Sequence, residues 1–220
     1  MFLTKLVINP LSPQFRTDAR DVQNMHRTVM SGFPEEQPSD AYRQTHGVLW
    51  RLDQTDHIVH YVQSATEPDW SRLPESHLIG SAQVRSLQPV LDAIAPGRKF
   101  AFRLQANATR CVRTDDKPHV PTRVPLKDPD EQLGWLARKG DQHGFVIPAG
   151  HHGRPDVAAS PVSRLTGNRK NHRLTITPVR FDGHLVVTDA EVFRQAVIGG
   201  IGRAKAYGCG LLSLTRPLSP

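Results

Sequence analysis

Glycines and basic residues are interleaved near the end of the chain, in a pattern suited to binding phosphate. Five glycines lie between positions 199 and 210, and four of them are candidate site residues: Gly200, Gly202, Gly208 and Gly210. Glycine lets backbone N–H groups approach an anion closely, and Arg203 and Lys205 add positive charge. A nucleotide-binding P-loop or a Rossmann turn is not indicated, because a predicted helix precedes these glycines and a predicted strand follows. A loop that only shapes a helix-to-strand turn is the equally open alternative.

His26 is a second candidate for chemistry. An imidazole with a reference pKa of about 6.5 donates or accepts a proton at neutral pH. His26 lies at the margin of a predicted apolar helix stripe, and Arg27 stands beside it. A single helical histidine is more often structural, so this residue does not decide the function by itself.

Metal-binding patterns are weak. The chain has neither His-Glu-x-x-His nor Cys-x-x-Cys, and His143, His151 and His152 fall in a Gly- and Pro-containing region without ligand spacing. We therefore expect no metal and no cofactor.

Basic residues dominate two stretches of the second half. Residues 93–114 and 157–181 contain no acid, whereas the chain as a whole has a net charge of +7. A solvated face normally mixes both signs, so these stretches favour a nucleic-acid partner. The candidate contacts in the later stretch are Arg164, Arg169, Lys170 and Arg173.

Length and cysteine content limit the class of protein to which this chain can belong. A chain of 220 residues suits one large domain or two small ones. Cys111 and Cys209 form no disulfide framework, and no apolar run approaches the roughly 18 residues of a membrane span. We expect a cytoplasmic protein without membrane contact.

The first half is predicted to follow the order βαββαβ. Strands are expected at residues 2–8, 48–52, 58–62 and 84–90, with a short helix starting near residues 67–71. A helix capped by Thr17 or Asp18 is expected to run to Ser31, with Gly32 after its end. Its buried stripe is spaced at helical intervals and comprises Val22, Met25, Val29 and Phe33.

The second half repeats that order. Strands are expected at residues 99–106, 145–147 and 211–214, and helices start at Asp128 and Asp189. Residues 174–187 are predicted to form a hairpin closed by Asp182-Gly183, with Pro178 at an edge or bulge. Residues 151–171 read as a long polar loop. The sequence thus predicts an α+β protein of two tandem ferredoxin-like domains, residues 1–94 and 98–220.

Segments spread in order over nearly the whole chain resemble the CasE (Cse-type) endoribonucleases of type I-E CRISPR systems. The matching segments are Met1-Phe-Leu-Thr-Lys-Leu-Val-Ile-Asn-Pro10, Met25-His26-Arg27, Thr66-Glu-Pro-Asp-Trp70, Phe102-Arg-Leu-Gln-Ala-Asn107, Val124-Pro-Leu-Lys127, Trp135-Leu136 and the glycine-rich ending, Gly200 to Leu214.

The resemblance implies two ferredoxin-like domains and metal-independent cleavage of precursor CRISPR RNA. Such enzymes cut at the 3′ base of the repeat hairpin, keep the product and join the other subunits of Cascade. The family's catalytic histidine falls on His26, and Arg27 is a candidate helper. Many relatives carry tyrosine where this chain has Gln23, and some carry lysine where it has Ser31.

Those two departures leave an alternative open, a catalytically silent subunit that only binds the RNA hairpin. A third hypothesis, a nucleotide-binding enzyme that uses the glycine-rich loop, conflicts with the missing Lys-Ser/Thr of a P-loop.

Overall fold

The chain folds around two antiparallel sheets, as seen in a computed structural model that describes residues 1–34, 42–114, 117–150, 153–169 and 172–217. Within these ranges the strands are β1 (Phe2–Ile8), β2 (Leu49–Gln54), β3 (Ile58–Ser64), β4 (Gln83–Ser86), β5 (Lys99–Ala106), β6 (Thr109–Thr114), β7 (Lys117–Pro125), β8 (Phe145–Val146), β9 (Val157–Pro161), β10 (Leu165–Arg169), β11 (His172–Ile176), β12 (Val179–Val187) and β13 (Leu212–Thr215). The helices are α1 (Pro13–Asp18), α2 (Val22–Met30), α3 (Tyr42–Thr45), α4 (Gln88–Asp92), α5 (Pro129–Gln142) and α6 (Ala190–Gly199).

Both sheets have the strand order of a ferredoxin-like fold. The first sheet is ordered β2-β3-β1-β4, and the second is ordered β13-β5-β12-β8, with β9 added beside β12. In each case the first and third strands of the unit are central and the second and fourth flank them. The predicted α+β fold class is therefore confirmed, while the division at residues 94–98 stays a prediction.

The predicted hairpin at residues 174–187 is wrong. Strand β12 runs without a turn through Asp182 and Gly183 and pairs with β5 along its length. A Cβ at position 183 would collide with the Asp156 carbonyl oxygen and with Val157 at the start of β9. Gly183 is thus a site of close backbone approach inside a strand, which is the other common reason for a strand glycine.

The helix predicted to start at Thr17 or Asp18 begins only at Val22, as α2, and both predicted cap residues lie inside a separate helix, α1. Ser12 caps α1 through the Phe15 amide, and Asp21 caps α2 through the Gln23 amide. Asp18 is buried and accepts hydrogen bonds from Gln14 and Thr28, so it joins the two helices instead of capping one.

Other local predictions also need correction. Gly32 follows α2 without a positive φ, and a Cβ there would lie 2.6 Å from the Trp70 ring, so packing explains this glycine. The expected strand at residues 84–90 ends at Ser86 and gives way to α4, and residues 67–71 yield only a 3₁₀ turn, Trp70–Arg72. The predicted polar loop at residues 151–171 contributes β9 and β10.

Each of the two hydrophobic cores takes residues from both halves of the chain. The core under the second sheet includes Leu87, Leu91 and Ile94 from the end of the first half. The core under the first sheet includes Ile176 and Tyr207 from the second half. The two units are therefore interlocked by shared apolar packing.

Polar groups also join the sheets. Arg51 Nε lies 2.7 Å from Asp53 Oδ1, and both side chains are over 90% buried. Asp53 Oδ2 also accepts from Arg103 Nη1 at 3.1 Å, and Arg51 Nη1 donates to Ser213 Oγ at 3.0 Å. Burial raises the pKa of Asp53, but hydrogen bonds and charge from Arg51 and Arg103 outweigh burial and hold it below its usual value.

Replacing Asp53 by alanine should destabilise the fold by about 3 kcal/mol, because two arginines lose a buried partner. Since the pKa of Asp53 is lower in the folded state, its contribution is complete above the unfolded pKa of about 4 and is lost as pH falls through the folded value. In urea unfolding, the wild type should therefore have a larger free energy of unfolding than Asp53→Ala at pH 7, and this difference should shrink in acid.

The Glu191–Arg194 pair, whose carboxylate is exposed, supplies the control for this experiment. Glu191→Ala should cost less than about 1 kcal/mol, as exposed pairs do. Equal losses in the two variants would show that the Asp53 network is not a stabilising link.

Candidate functional site

Helix α2 presents His26 on its outer face. Val22, Met25 and Val29 are buried against the first sheet, so the helical period leaves Gln23 and His26 half-buried at the margin of that stripe. Arg27 is exposed, and its guanidinium donates to Asn24 Oδ1 one turn earlier.

The glycine-rich loop, defined here as residues 200–210, packs directly against this face. Its 3₁₀ turn, Lys205–Tyr207, brings the Tyr207 ring to 6.2 Å from the His26 ring, centroid to centroid, at 68°. Tyr207 Oη donates a hydrogen bond to Gln23 Oε1 at 3.1 Å, across 184 positions of sequence. The two stretches singled out from sequence therefore meet in space.

The glycines of this loop are explained by its backbone. Gly200, Gly202, Gly208 and Gly210 all have positive φ, between 74° and 95°. A Cβ at Gly208 would also lie 3.0 Å from the Trp50 ring. The Ile201 amide donates to the Gly210 carbonyl and the Gly210 amide to the Gln105 carbonyl, so both amides have partners inside the protein.

The two cations of the loop lie in different environments. Lys205 Nζ donates to the Gly199 carbonyl at 2.7 Å, at the C-terminal end of α6. Burial lowers the pKa of Lys205, and the charges of Arg43 and Lys139 lower it further. Arg203 is exposed. Of the two, Arg203 is thus the one whose side chain is open to a ligand.

Strands β10 and β11, here called the basic strand pair, pack on the start of α2. Gly167 is buried there, and the Asn168 amide donates to Asp21 Oδ2 at 3.3 Å, the same carboxylate that caps the helix. Leu165 and Leu174 pack against the core of the first sheet. The strand pair is therefore anchored to the helix that carries His26.

The candidate RNA contacts of this segment have these positions. Arg164 and Arg173 have exposed side chains, just before β10 and within β11. Arg169 is the last residue of β10, and only its backbone is described. Lys170 lies outside the described residues. Two elements of the second half therefore pack on α2, the strand pair with exposed Arg164 and Arg173 beside or within it and the glycine-rich loop with exposed Arg203.

Chemically, α2 carries one imidazole, and the two elements packed on it bring exposed guanidinium groups from the second half of the chain. In the ranges that the structure describes, no group of three His, Cys, Asp or Glu side chains is placed to hold a metal ion. His151 and His152 lie outside those ranges. Burial and the charges of Lys139 and Lys205 lower the pKa of His143, which favours the neutral form of its ring.

Sequence reasoning missed Tyr207. Its signal was present, because Tyr207 is the one aromatic residue among the glycines of residues 199–210. Its partners Gln23 and His26 could be identified only after the two halves were packed together.

Known proteins resemble this chain over almost its whole length. A family model described as CRISPR associated protein matches residues 1–216. The CRISPR-associated endoribonuclease Cse3 of Thermus thermophilus is 35% identical, covering 97% of this chain and 99% of the relative. The CRISPR system Cascade subunit CasE of Escherichia coli is 29% identical, covering 97% and 98%. A structure of Cse3 bound to a 19-nucleotide RNA superposes with a TM-score of 0.81 at 34% identity, covering 98% of this chain and all of that one.

In the described part of the chain, no helix is both long and apolar enough to cross a membrane.

Replacing Gly167 by alanine should weaken the start of α2. The new Cβ would lie 2.6 Å from Asp21 Oδ1 and 3.1 Å from a Val22 methyl, so the capping carboxylate must move. Loss of a helix N-cap costs about 1 kcal/mol, and displacement of the strand pair adds to that cost. The measurement is the free energy of unfolding in urea.

Gly199→Ala is the matched control, because a Cβ there meets nothing within 4 Å and the backbone needs no positive φ. It should leave stability unchanged or slightly raised. If Gly167→Ala is equally harmless, Asp21 does not connect the strand pair to the helix.

Proposed function

The chain belongs to the CRISPR-associated protein family, and from this premise we propose that it is an RNA endonuclease that cleaves precursor CRISPR RNA at the 3′ base of the repeat hairpin. The observation that carries the proposal is the position of His26, on a helix against which two elements with exposed arginines pack. The Thermus relative, 35% identical, is named an endoribonuclease and supports the same conclusion.

RNA brings its own nucleophile, so the protein needs few reactive groups. The 2′-oxygen upstream of the cut attacks phosphorus, the bond from phosphorus to the 5′-oxygen breaks, and a 2′,3′-cyclic phosphate remains. The 2′-hydroxyl loses a proton and the leaving 5′-oxygen gains one. His26 is the residue we assign to proton transfer, which contributes about 10²- to 10⁴-fold to such reactions. We assign Arg27 the role of stabilising the negative charge that develops on the phosphate.

The basic residues around α2 are assigned to the RNA hairpin. The deep major groove of an A-form stem is too narrow for ordinary side-chain readout, so backbone phosphates are the main target. Arg164, Arg169, Lys170 and Arg173 would bind one side of the hairpin, and Arg203 another. Lys205, which donates to the Gly199 carbonyl, would add positive charge near Arg203. The backbone shape of the glycine-rich loop depends on four glycines with positive φ: Gly200, Gly202, Gly208 and Gly210.

The protein would keep the cut hairpin and act as a cytoplasmic subunit of Cascade. The Escherichia coli relative, named a Cascade subunit, matches 97% of this chain and supports this partner. One observation favours a silent RNA-binding subunit instead. Neither the Gln23 amide nor the Ser31 hydroxyl, which donates to the Thr28 carbonyl, transfers protons readily at neutral pH.

Cleavage of a CRISPR repeat RNA hairpin should depend on His26. In single-turnover assays containing EDTA, His26→Ala should lower the rate by about 10²- to 10⁴-fold with little change in RNA affinity. His57→Ala, at an exposed turn between β2 and β3, is the matched control and should cleave like the wild type.

A second substrate tests the nucleophile in the same assay. RNA with a single 2′-deoxy nucleotide upstream of the cut should bind normally and stay whole. Cutting of that RNA, or loss of all cutting in EDTA, would refute the mechanism. Binding without cutting by the wild type would favour the silent subunit.

The basic strand pair should contribute to affinity through charge. An Arg164→Ala, Arg173→Ala double variant should bind repeat RNA more weakly, and the slope of log K against log salt should become shallower by up to about 2. The control is Arg85→Ala, Arg154→Ala, which removes two exposed arginines outside both acid-free stretches. An unchanged slope in the Arg164 and Arg173 variant would show that these side chains contact only solvent.

A further inference from the structure

Tyr207 connects the glycine-rich loop to both half-buried side chains on the outer face of α2. Its hydroxyl donates to Gln23 Oε1 at 3.1 Å, and its ring meets the His26 ring at 6.2 Å in an edge-to-face arrangement. Gln23 and His26 lie three residues apart and so share one side of the helix. Tyr207, from the second half of the chain, thus contacts both Gln23 and His26.

The backbone on each side of Tyr207 is fixed by the glycine-rich loop and its contacts. The tyrosine is only 9% exposed, and its turn lies between two left-handed residues, Ala204 and Gly208. Trp50 Nε1 donates to the Ala206 carbonyl at 3.2 Å, and Gln105 Nε2 donates to the Gly208 carbonyl at 2.8 Å. Because the backbone on each side of Tyr207 is bound by a buried side chain, the ring has a fixed position.

An imidazole on a helix surface turns about two side-chain torsions unless a neighbour restricts it. Proton transfer requires a ring nitrogen within hydrogen-bond reach of the reacting oxygen, and small errors in placement are costly. The edge-to-face contact limits the rotation of the His26 ring, and the hydrogen bond to Gln23 fixes the other side chain on that face.

We propose that Tyr207 is a positioning residue for His26, acting through its ring on the imidazole and through its hydroxyl on Gln23. The proposal rests on the proposed role of His26 in RNA cleavage. Since Tyr207 is buried and its hydroxyl is bound to Gln23, it acts through these neighbours and does not contact RNA.

Variants at position 207 separate the two contacts. Tyr207→Leu removes the aromatic contact and the hydroxyl, and should lower the single-turnover rate by roughly 10- to 100-fold. Tyr207→Phe keeps the ring and should recover most of that loss. RNA affinity and melting temperature, measured in parallel, should change little in Tyr207→Phe.

A double-mutant cycle tests the path through Gln23. If the hydroxyl acts on Gln23, then Gln23→Ala and Tyr207→Phe should each lower the rate by a similar factor, and the double variant should be no slower. Additive losses would overturn that path.

The pH profile distinguishes positioning from simple destabilisation. Tyr207→Leu changes the surroundings of the imidazole, so the limb of the rate profile that reports His26 should move along the pH axis. A loss of folded protein would lower the curve at every pH without moving it, and would overturn the proposal. Tyr61→Leu removes a tyrosine that lies against Arg51, away from α2, and should leave the profile unchanged.

The outcome with His26→Ala separates the two proposals. If His26→Ala is inactive while Tyr207→Leu cleaves at the wild-type rate, positioning by Tyr207 is wrong and the proposed function stands. If His26→Ala cleaves like the wild type, the assignment of His26 fails, and the positioning proposal fails with it.

Discussion

The structure depends on helix α2, which belongs to the first half of the chain and is held in position by contacts from the second half. Helix α2 packs its apolar stripe on the first sheet, but its capping carboxylate, Asp21, also binds the Asn168 amide of the second half. At the next turn Tyr207 contacts Gln23 and His26. A helix of nine residues is too short to be stable by itself, so these contacts determine where its outer face points.

The glycine-rich loop can hold the helix because its own polar groups are satisfied inside the protein. Buried carbonyl groups need hydrogen-bond donors, and those of Ala206 and Gly208 receive them from Trp50 and Gln105. Gln63 Nε2 similarly donates to the carbonyls of Val197 and Ile198 near the end of α6. Trp50 and Gln63 of the first sheet thus donate to the backbone of the second half, and Gln105 of β5 adds a donor from the second sheet. The loop is therefore a rigid support for α2.

The sequence predicted the parts of this structure that follow local patterns. Alternating and apolar runs located β1, β3 and β5, and helical spacing located the buried stripe that contains Val22 and Met25. The errors arose where a local signal had a distant cause. Asp182-Gly183 looked like a turn, but the glycine is required by the approach of residue 156 to β12. The contact of Tyr207 with His26 could not be predicted either, because no local pattern encodes a contact between the two halves.

On the proposed function, the separation of binding from chemistry explains why the cut RNA would stay bound. Arg164, Arg173 and Arg203 would contact phosphates of the hairpin, and cleavage at its 3′ base would leave those phosphates in the same stem. Proton transfer is assigned to one imidazole on α2, which takes no part in those phosphate contacts, so breaking the bond would remove none of them. Because binding energy that is equal before and after the reaction does not favour release, product affinity should remain close to substrate affinity. Such a site suits a subunit that cuts its RNA once and then carries it.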